Sequence, residues 1–322
     1  MKAVIRGVGH YLPKRVLTNF DLEKMVETSD TWIRERTGIQ TRHIASEDEY
    51  TSTLAINAAK EALADAKMTG EDIDMIILAT TTPDDTTPAT AVKVREAINM
   101  THGCAFDVQA ACSGFMYAMS VANQYILSGS ARNVLIIGAE TLSRIVDWKD
   151  RNTCVLFGDG AGAAVLGVAT EEEEASGAGI LDVIIHSDGR FRHLLTTTGG
   201  VSRTQTAGYV LMEGREVFRH AVTNLADVAD EVLKRANVDV KDVDYLVPHQ
   251  ANVRIIEGTA KKLGIEMDKV ILTLPQQGNT SAASIPLALY EGIKSGRLQR
   301  GQLILLDAMG GGFTWAGALI RL

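Results

Sequence analysis

Apolar positions along this chain follow two rhythms, and the two alternate. Short continuous runs read as buried strands: Ala3–Gly7, Asp74–Thr80 (DMIILAT), Ala105–Val108, Asn133–Gly138 (NVLIIG) and Leu303–Leu306. Between them, apolar residues recur at helical spacing. Ser52–Lys67 is a strongly amphipathic helix stopped by Thr69-Gly70, and Ala89–Ile98 follows the turn-rich loop Thr80–Pro88. Asn19–Val26 starts as a helix with Asn19 as its cap, and Ser29–Thr41 carries an exposed-looking Trp32 among Arg34, Arg36 and Arg42. Cys154–Phe157 and Gly162–Val168 flank Gly158-Asp159-Gly160 as a hairpin. Alternating strands and helices predict an α/β layered fold.

The pattern then repeats. EDIDMIILATTTP from Glu71 is echoed by KDVDYLVPHQAN from Lys241, and LSGSARNVLIIGAE from Leu127 by KSGRLQRGQLILLDAM from Lys294. GAGAAVLGV (Gly160–Val168) is echoed by GGFTWAGALI, and Ser281–Ile293 falls opposite the helix after Cys112. The first two offsets are about 170 and 167–169 residues, so weak matches agree on one register. The acidic stretch Glu171–Gly177 reads as a solvated connection between two halves, residues 1–170 and 178–322. Equivalent loops of the two units would meet around a pseudo-twofold axis. That places the loop after Val108 near those carrying His249 and Asn279.

Candidate chemistry sits on those loops. Cys112 follows a strand, a small-residue turn and then a helix start, where unpaired N–H groups favour a thiolate. His249 ends the strand Tyr245–Pro248 ahead of a helix Ala251–Leu263, and Asn279 precedes a helix in the second half's counterpart of the Cys112 turn. Alone, each has a plainer reading: a buried structural cysteine, a hydrogen-bonded histidine and a helix cap. Gly310-Gly311-Gly312 lets backbone N–H groups approach a ligand, and one of them with the Cys112 N–H would form an oxyanion hole. Gly158–Gly162 (GDGAG) lacks the dinucleotide spacing and precedes a strand, so it reads as a turn and not as an NAD site.

Composition narrows the class. The 322 residues carry a net charge of −8, which argues against a general nucleic-acid binder but leaves room for a local basic patch. No apolar run reaches the ~18 residues of a membrane span. The start MKAVIRGVGHYLP reads as a first strand rather than a secretory signal. Three cysteines without metal-like spacing fit a reducing cytoplasm.

The motifs GHYLP, SDTWIRERTGIQTRHIA, FDVQAACSGF, FGDGAGA, VPHQAN, GNTSAAS and GGGFTWAGALIRL, in this order, resemble the β-ketoacyl-acyl carrier protein synthase III family over nearly the whole chain. The resemblance implies a thiolase-like five-layered αβαβα fold from two duplicated halves, in a homodimer. It implies an acyltransferase that condenses an acyl-CoA primer with malonyl-acyl carrier protein to start fatty acid synthesis. Cys112 matches the nucleophile, His249 and Asn279 the other triad members, and Gly311 the second oxyanion donor. Thr28, Trp32, Arg36, Arg151 and Asn252 match CoA-binding positions. Arg219, Arg254, Lys261 and Lys262 match basic positions that dock the acidic carrier protein. No metal and no resident cofactor are implied, since CoA thioester and carrier protein are substrates. Met309 stands where many relatives have phenylalanine beside the site. Thr87 replaces a phenylalanine that reaches the acyl pocket from the other subunit, which implies tolerance of longer or branched primers. Three alternatives remain: a specialised homologue of secondary metabolism, a Cys-His thioester hydrolase, and a silent acyl-binding scaffold.

Overall fold

The structure, a computed structural model, describes residues 1–322. After β1 (Ala3–Tyr11), a small antiparallel pair forms from β2 (Arg15–Thr18) and β3 (Thr41–Ile44). β4 (Met75–Ala79), β5 (Cys104–Val108), β6 (Asn133–Glu140) and β7 (Gly160–Val168) join β1 in a five-stranded sheet of order β1-β7-β6-β4-β5. β8 (Gly179–Ser187) begins the second half, followed by a small pair, β9 (Leu195–Thr197) and β10 (Val210–Met212). β11 (Tyr245–Pro248), β12 (Leu303–Gly310) and β13 (Thr314–Arg321) complete a second sheet of order β11-β12-β13-β8.

The two large sheets share one topology. β4 is parallel to β6, and β7 is antiparallel to both β6 and β1. Likewise β11 is parallel to β12, and β13 is antiparallel to both β12 and β8. A counterpart of β5 survives only as the parallel bridge Leu246–Val270. Met75 and Tyr245 begin equivalent strands, Ala111 and Ser281 equivalent 3-10 turns, and Asn133 and Leu303 equivalent strands. Each of these pairs is 170 residues apart, so one register holds from β4 to β6 and from β11 to β12, while β7 and β13 begin 154 residues apart.

Strand residues alternate between two cores because successive side chains point to opposite faces. Met75, Ile77 and Ala79 of β4 face a central core, while Ile76 and Leu78 face an outer one. The central core takes Phe115, Met116, Met119, Ala122 and Ile126 from the helix Gly114–Leu127, and Ile285 and Leu289 from the helix Ser284–Lys294. The outer core of the first sheet is covered by Leu54, Ala55, Ala58, Ala59 and Ala62 of the helix Thr51–Ala66. The outer face of the second sheet is covered by Val228, Val232 and Leu233 of Gly214–Ala236 and by Ile256 and Ala260 of Val253–Leu263. The result is five layers, αβαβα.

Two local expectations differ, and two details go beyond the sequence reading. Cys154–Phe157 is not a hairpin strand: Arg151–Cys154 is a helical turn capped by Asp150, and β7 pairs with β1 and β6 instead. The cap of the first helix is Thr18, in a capping box with Asp21, whereas Asn19 is buried and bonds Asp30, Ile39 O and Arg42. Arg42 is fully buried, donating to Leu17 O, Asn19 and Val155 O. Glu171–Ser176 is exposed but helical, capped by Thr170, with Glu173 paired to Arg6 at 2.6 Å.

The middle layer admits no extra atoms. A Cβ on Gly138 would lie 2.1 Å from Ala282 O, on the turn that precedes the second central helix. Gly138→Ala is therefore expected to destabilise the protein by about 1–3 kcal/mol. Urea unfolding measures that loss.

Candidate active site

Both central helices begin with a 3-10 turn, Ala111–Ser113 in one half and Ser281–Ala283 in the other. Each turn opens on a residue in the left-handed region, Ala111 at φ 47° and Ser281 at φ 51°, where side chains other than glycine are uncommon. The first turn carries Cys112, which is 8% exposed. A Cβ on Gly310 would lie 2.5 Å from Cys112 N, so the β12–β13 turn packs against the cysteine backbone. Gly311 is the next residue of that turn.

The expected thiolate is not the resting state. Burial pushes the Cys112 thiol up to about 12, the neighbouring Glu140 charge adds to the rise, and contact with Ser281 only partly offsets it.

His249 is also buried. Its N–H donates to Asp307 O at 2.8 Å, and its Nδ1 lies 2.6 Å from Ser284 Oγ. The Gln250 N–H donates to the same Oγ at 3.4 Å, and with Nδ1 engaged by Ser284 the other ring nitrogen, Nε2, is left for the cleft. Gln250 fixes the turn. Its Oε1 accepts from Thr273 N and Leu274 N, and its Nε2 donates to Pro248 O and Ile271 O. Burial drives the His249 pKa down to about 3, so the ring is neutral near pH 7.

Asn279 is held by the Leu156–Gly158 loop. Its N–H donates to Leu156 O, and its carbonyl accepts from the Gly158 N–H. Its side-chain Oδ1 accepts from the Ser281 N–H at 2.9 Å, which leaves the amide nitrogen to donate elsewhere. The GDGAG segment is thus a structural turn. Asp159 is buried and accepts from Ala45 N, Ser143 N and Ser143 Oγ.

One cleft of about 710 Å³ gathers Cys112, His249, Asn279, Met309 and Gly310 with Trp32, Arg36, Asn252 and Arg254. Arg36 and Arg254 are exposed and Cys112, His249 and Asn279 are buried, so the cleft runs inward from a basic mouth. Trp32 is half-buried, and Arg151 stacks on it with Cζ 5.2 Å from the ring centroid. The Thr28 hydroxyl is buried without a partner. Asn252 caps its helix and donates to Arg36 O at 3.0 Å. Arg219 is paired with Glu216 and Lys262 with Asp227, while Lys261 is exposed. Thr87 is exposed and lies outside this cleft.

Several residues here were not singled out in the sequence. Val217, Phe218, Ala221 and Leu225 form one face of Gly214–Ala236 and line the cleft, a stripe that helical periodicity alone would reveal. Glu140, Ser284 and Asp307 have no such signal. Asp307 is buried with both carboxylate oxygens unpartnered, and burial raises its pKa to about 8.

Comparison with known proteins gives a consistent answer. Residues 106–189 match the family model for 3-oxoacyl-[acyl-carrier-protein] synthase III, and residues 233–322 match its C-terminal model. A β-ketoacyl-[acyl-carrier-protein] synthase III of Rhodospirillum centenum is 58% identical over 321 residues, covering 100% of this chain and 99% of that protein. The same-named protein of Agrobacterium fabrum is 54% identical with the same coverage. The crystal structure of 3-oxoacyl-[acyl-carrier-protein] synthase III from Aquifex aeolicus superposes with a TM-score of 0.94 at 50% identity, covering 99% of this chain and 100% of that one. The priming β-ketosynthase of the R1128 polyketide pathway superposes with a TM-score of 0.94 at 33% identity, covering 100% of this chain and 96% of that one.

A buried neutral histidine leaves a signature. The unfolded state takes up a proton near pH 6.5 and the folded state only near 3. Its contribution to stability is thus complete above about pH 6.5 and is lost as pH falls toward 3. His249→Asn should flatten the stability–pH curve across that window relative to the parent protein. Denaturant titrations at pH 7, 5.5 and 4.5 measure the difference.

Proposed function

The chain belongs to the β-ketoacyl-[acyl-carrier-protein] synthase III family, and we propose that its cleft performs the family reaction with Cys112 as nucleophile and His249 and Asn279 as hydrogen-bond donors. The activity is that of an acyltransferase. It is a decarboxylative Claisen condensation of an acyl-CoA primer with malonyl-acyl carrier protein, and it initiates fatty acid biosynthesis. The observation that carries the residue assignment is the convergence of Cys112, His249 and Asn279 on one cleft from both halves. Residues 1–170 supply the nucleophile and residues 178–322 the two donors.

The chemistry follows from a dry, neutral site. Cys112 Sγ attacks the primer thioester carbonyl, CoA leaves, and an acyl-Cys112 thioester remains. The oxyanion formed on the way is held by the N–H groups of Cys112 and Gly311. Malonyl-carrier protein then enters. His249 Nε2–H and the Asn279 amide donate to its thioester oxygen as the bond to the carboxylate breaks. CO2 departs, the electron pair forms an enolate, and the enolate carbon attacks the acyl-Cys112 carbonyl. No base removes a carbon-bound proton, because decarboxylation supplies the carbanion. A histidine that stays neutral suits this donor role.

The mouth suits a CoA nucleotide. Adenine enters between Trp32 and Arg151 once Arg151 swings off the ring, and Arg36 meets phosphate; Thr28, matched to an adenine contact by the family pattern, has its hydroxyl buried beside this mouth-lining segment. Asn252 lines the passage inward. Arg219, Arg254, Lys261 and Lys262 offer the carrier protein a basic rim on an otherwise acidic molecule. CoA thioester and carrier protein act as substrates, with no resident cofactor, in the cytoplasm. No helix is long and apolar enough to cross a membrane.

The edge strand β5 supports a homodimer. It is unpaired on one side, with Phe106 and Val108 only half-buried, and the loop carrying Thr87 leads into the helix Thr90–Ala97 that flanks it. Pairing β5 with its copy brings Thr87 toward the partner's acyl pocket, beside Met309.

Intact mass after incubation with acetyl-CoA tests the assignment. One acetyl adduct is expected, absent in Cys112→Ser and discharged by malonyl-carrier protein as acetoacetyl-carrier protein. Discharge to free acetate alone would replace condensation by hydrolysis. Asn279→Ala should keep the adduct while slowing the condensation step about a hundredfold or more. Thr87→Phe should cut turnover of octanoyl-CoA and isobutyryl-CoA while sparing acetyl-CoA; unchanged primer preference would remove Thr87 from the pocket.

A further inference from the structure

Duplication places two strand ends against two turns, and the two contacts are built differently. β6 ends at Glu140 and β12 at Gly310, so these residues are equivalent in the 170-residue register that also pairs Ala111 with Ser281. Each strand end meets the turn of the other half. Gly310 packs on the nucleophile's turn, where an added Cβ would come 3.0 Å from the Ala111 Cβ and 2.5 Å from Cys112 N. Glu140 meets the other turn through a hydrogen bond, Ser281 Oγ donating to Oε1 at 3.0 Å. One contact is bare backbone against a methyl group. Its counterpart is a carboxyl group against a hydroxyl.

The polar contact is firmly held. Glu140 has no solvent exposure. Donors of its own half fix the carboxyl group: Thr80 Oγ1 at 3.2 Å, Thr81 N and Oγ1 at 3.0 Å, and Thr82 Oγ1 at 2.7 Å. Thr82 Oγ1 in turn accepts from the Thr141 N–H at 2.9 Å, which ties the threonines back to the residue after Glu140. Moving the carboxyl group would strand several buried donors at once. The bond to Ser281 is the one that crosses between halves.

Ser281 passes that anchoring on. It stands at φ 51°, where a Cβ is disfavoured. Ala111, at φ 47°, is pinned in the same region by its glycine contact, and at Ser281 the hydroxyl bond takes that part. The Ser281 N–H donates to Asn279 Oδ1 at 2.9 Å. The Leu156–Gly158 loop fixes the Asn279 backbone, whereas the side chain is held by this one bond. Two hydrogen bonds in series therefore run from Glu140 through Ser281 to the Asn279 amide.

Resting on the assignment of Asn279 as a donor to the malonyl thioester, we propose that Glu140, acting through Ser281, is the positioning residue that sets the direction of the Asn279 amide for condensation. Glu140 touches no reacting atom and exchanges no proton. It holds the turn, the turn's N–H holds Oδ1, and the amide N–H is thereby aimed at the oxygen on which enolate charge develops. Without the anchor the turn relaxes from φ 51° and Oδ1 loses its donor. The amide then rotates, and an oxygen faces the thioester oxygen where a hydrogen bond should form. Acylation of Cys112 relies on the N–H groups of Cys112 and Gly311, which stand on the glycine-built contact. The two half-reactions are thus positioned by the two different contacts.

Rapid-quench intact mass separates the half-reactions in the full-length protein: acetylation by acetyl-CoA, then discharge of the preformed acetyl-enzyme by malonyl-carrier protein. Ser281→Ala removes the crossing hydroxyl and keeps the Cβ. It should acetylate within about twofold of the parent and condense about tenfold more slowly. Glu140→Gln should show the same split. The Thr81 N–H can only donate, so the amide oxygen stays at the Oε2 position and the NH2 group meets Ser281. The deciding measurement is a double-mutant cycle. In an Asn279→Ala background, Ser281→Ala should slow condensation by less than about twofold, because the amide it positions is gone. Equal slowing of both half-reactions overturns the proposal. So does a tenfold loss that persists without Asn279, or parent-like condensation in Ser281→Ala. If Glu140→Gln does not fold, Ser281→Ala carries the cycle alone. Parent-like condensation in Asn279→Ala itself is a separate outcome, which removes the donor assignment and the proposal with it.

Discussion

The candidate site of this protein depends on the close approach of two short turns, Ala111–Ser113 and Ser281–Ala283, at the centre of the molecule. Each begins a helix of the middle layer, and each comes from a different half. The approach is possible because glycines face it: a Cβ on Gly114 would touch the Ala282 Cβ at 3.4 Å, and one on Gly138 would strike Ala282 O. Duplication supplies two equivalent turns, and small residues let them meet. Cys112 on one side and Ser281 on the other are brought together by that contact, and Asn279 is fixed to Ser281 by its own side chain.

Burial then sets the electrostatics. A helix N-terminus contributes about 0.3–1 kcal/mol toward a thiolate, and about 2 in favourable partly buried sites. The Cys112 thiol, moved from 9.0 to about 12, lies on the order of 4 kcal/mol the other way, so desolvation wins. The same dry surroundings keep His249 neutral and raise Asp307. A site of neutral donors is poor at general-base chemistry and good at holding charge that develops on a thioester oxygen. That balance matches a condensation in which the carbanion comes from loss of CO2.

The sequence was informative wherever a local pattern met a repeat. Strands of β-branched and leucine residues, the small-residue turn before Cys112 and the 170-residue offset are visible in one dimension. So is the gathering of Cys112, His249 and Asn279, once the offset superposes their loops. What failed depends on three dimensions. Arg42 looks like one more surface cation, yet it is buried because Leu17, Asn19 and Val155 supply acceptors from three separate segments. Cys154–Phe157 is apolar like a strand, but Asp150 caps it into a helical turn and Phe157 instead bridges to Asn279. Glu140 follows an apolar run as any strand-ending acid would, and nothing adjacent shows that three threonines and a serine 141 residues away will surround it. Burial of a charge is decided by partners distant in sequence, and periodicity does not record them.

The competing readings of a buried cysteine beside a histidine separate on the same physics. A hydrolase needs a base to activate water, and a histidine whose pKa burial has driven to about 3 is protonated too reluctantly to serve. A silent scaffold has no use for an ordered chain of donors. Here Ser284 anchors the imidazole at Nδ1, Gln250 fixes the turn beneath it with four hydrogen bonds, and the Leu156–Gly158 loop fixes Asn279. Such over-determination orders side chains at an entropic cost and leaves donor groups available in an apolar cleft. On the proposed assignment these donors serve an enolate and an oxyanion rather than the resting protein.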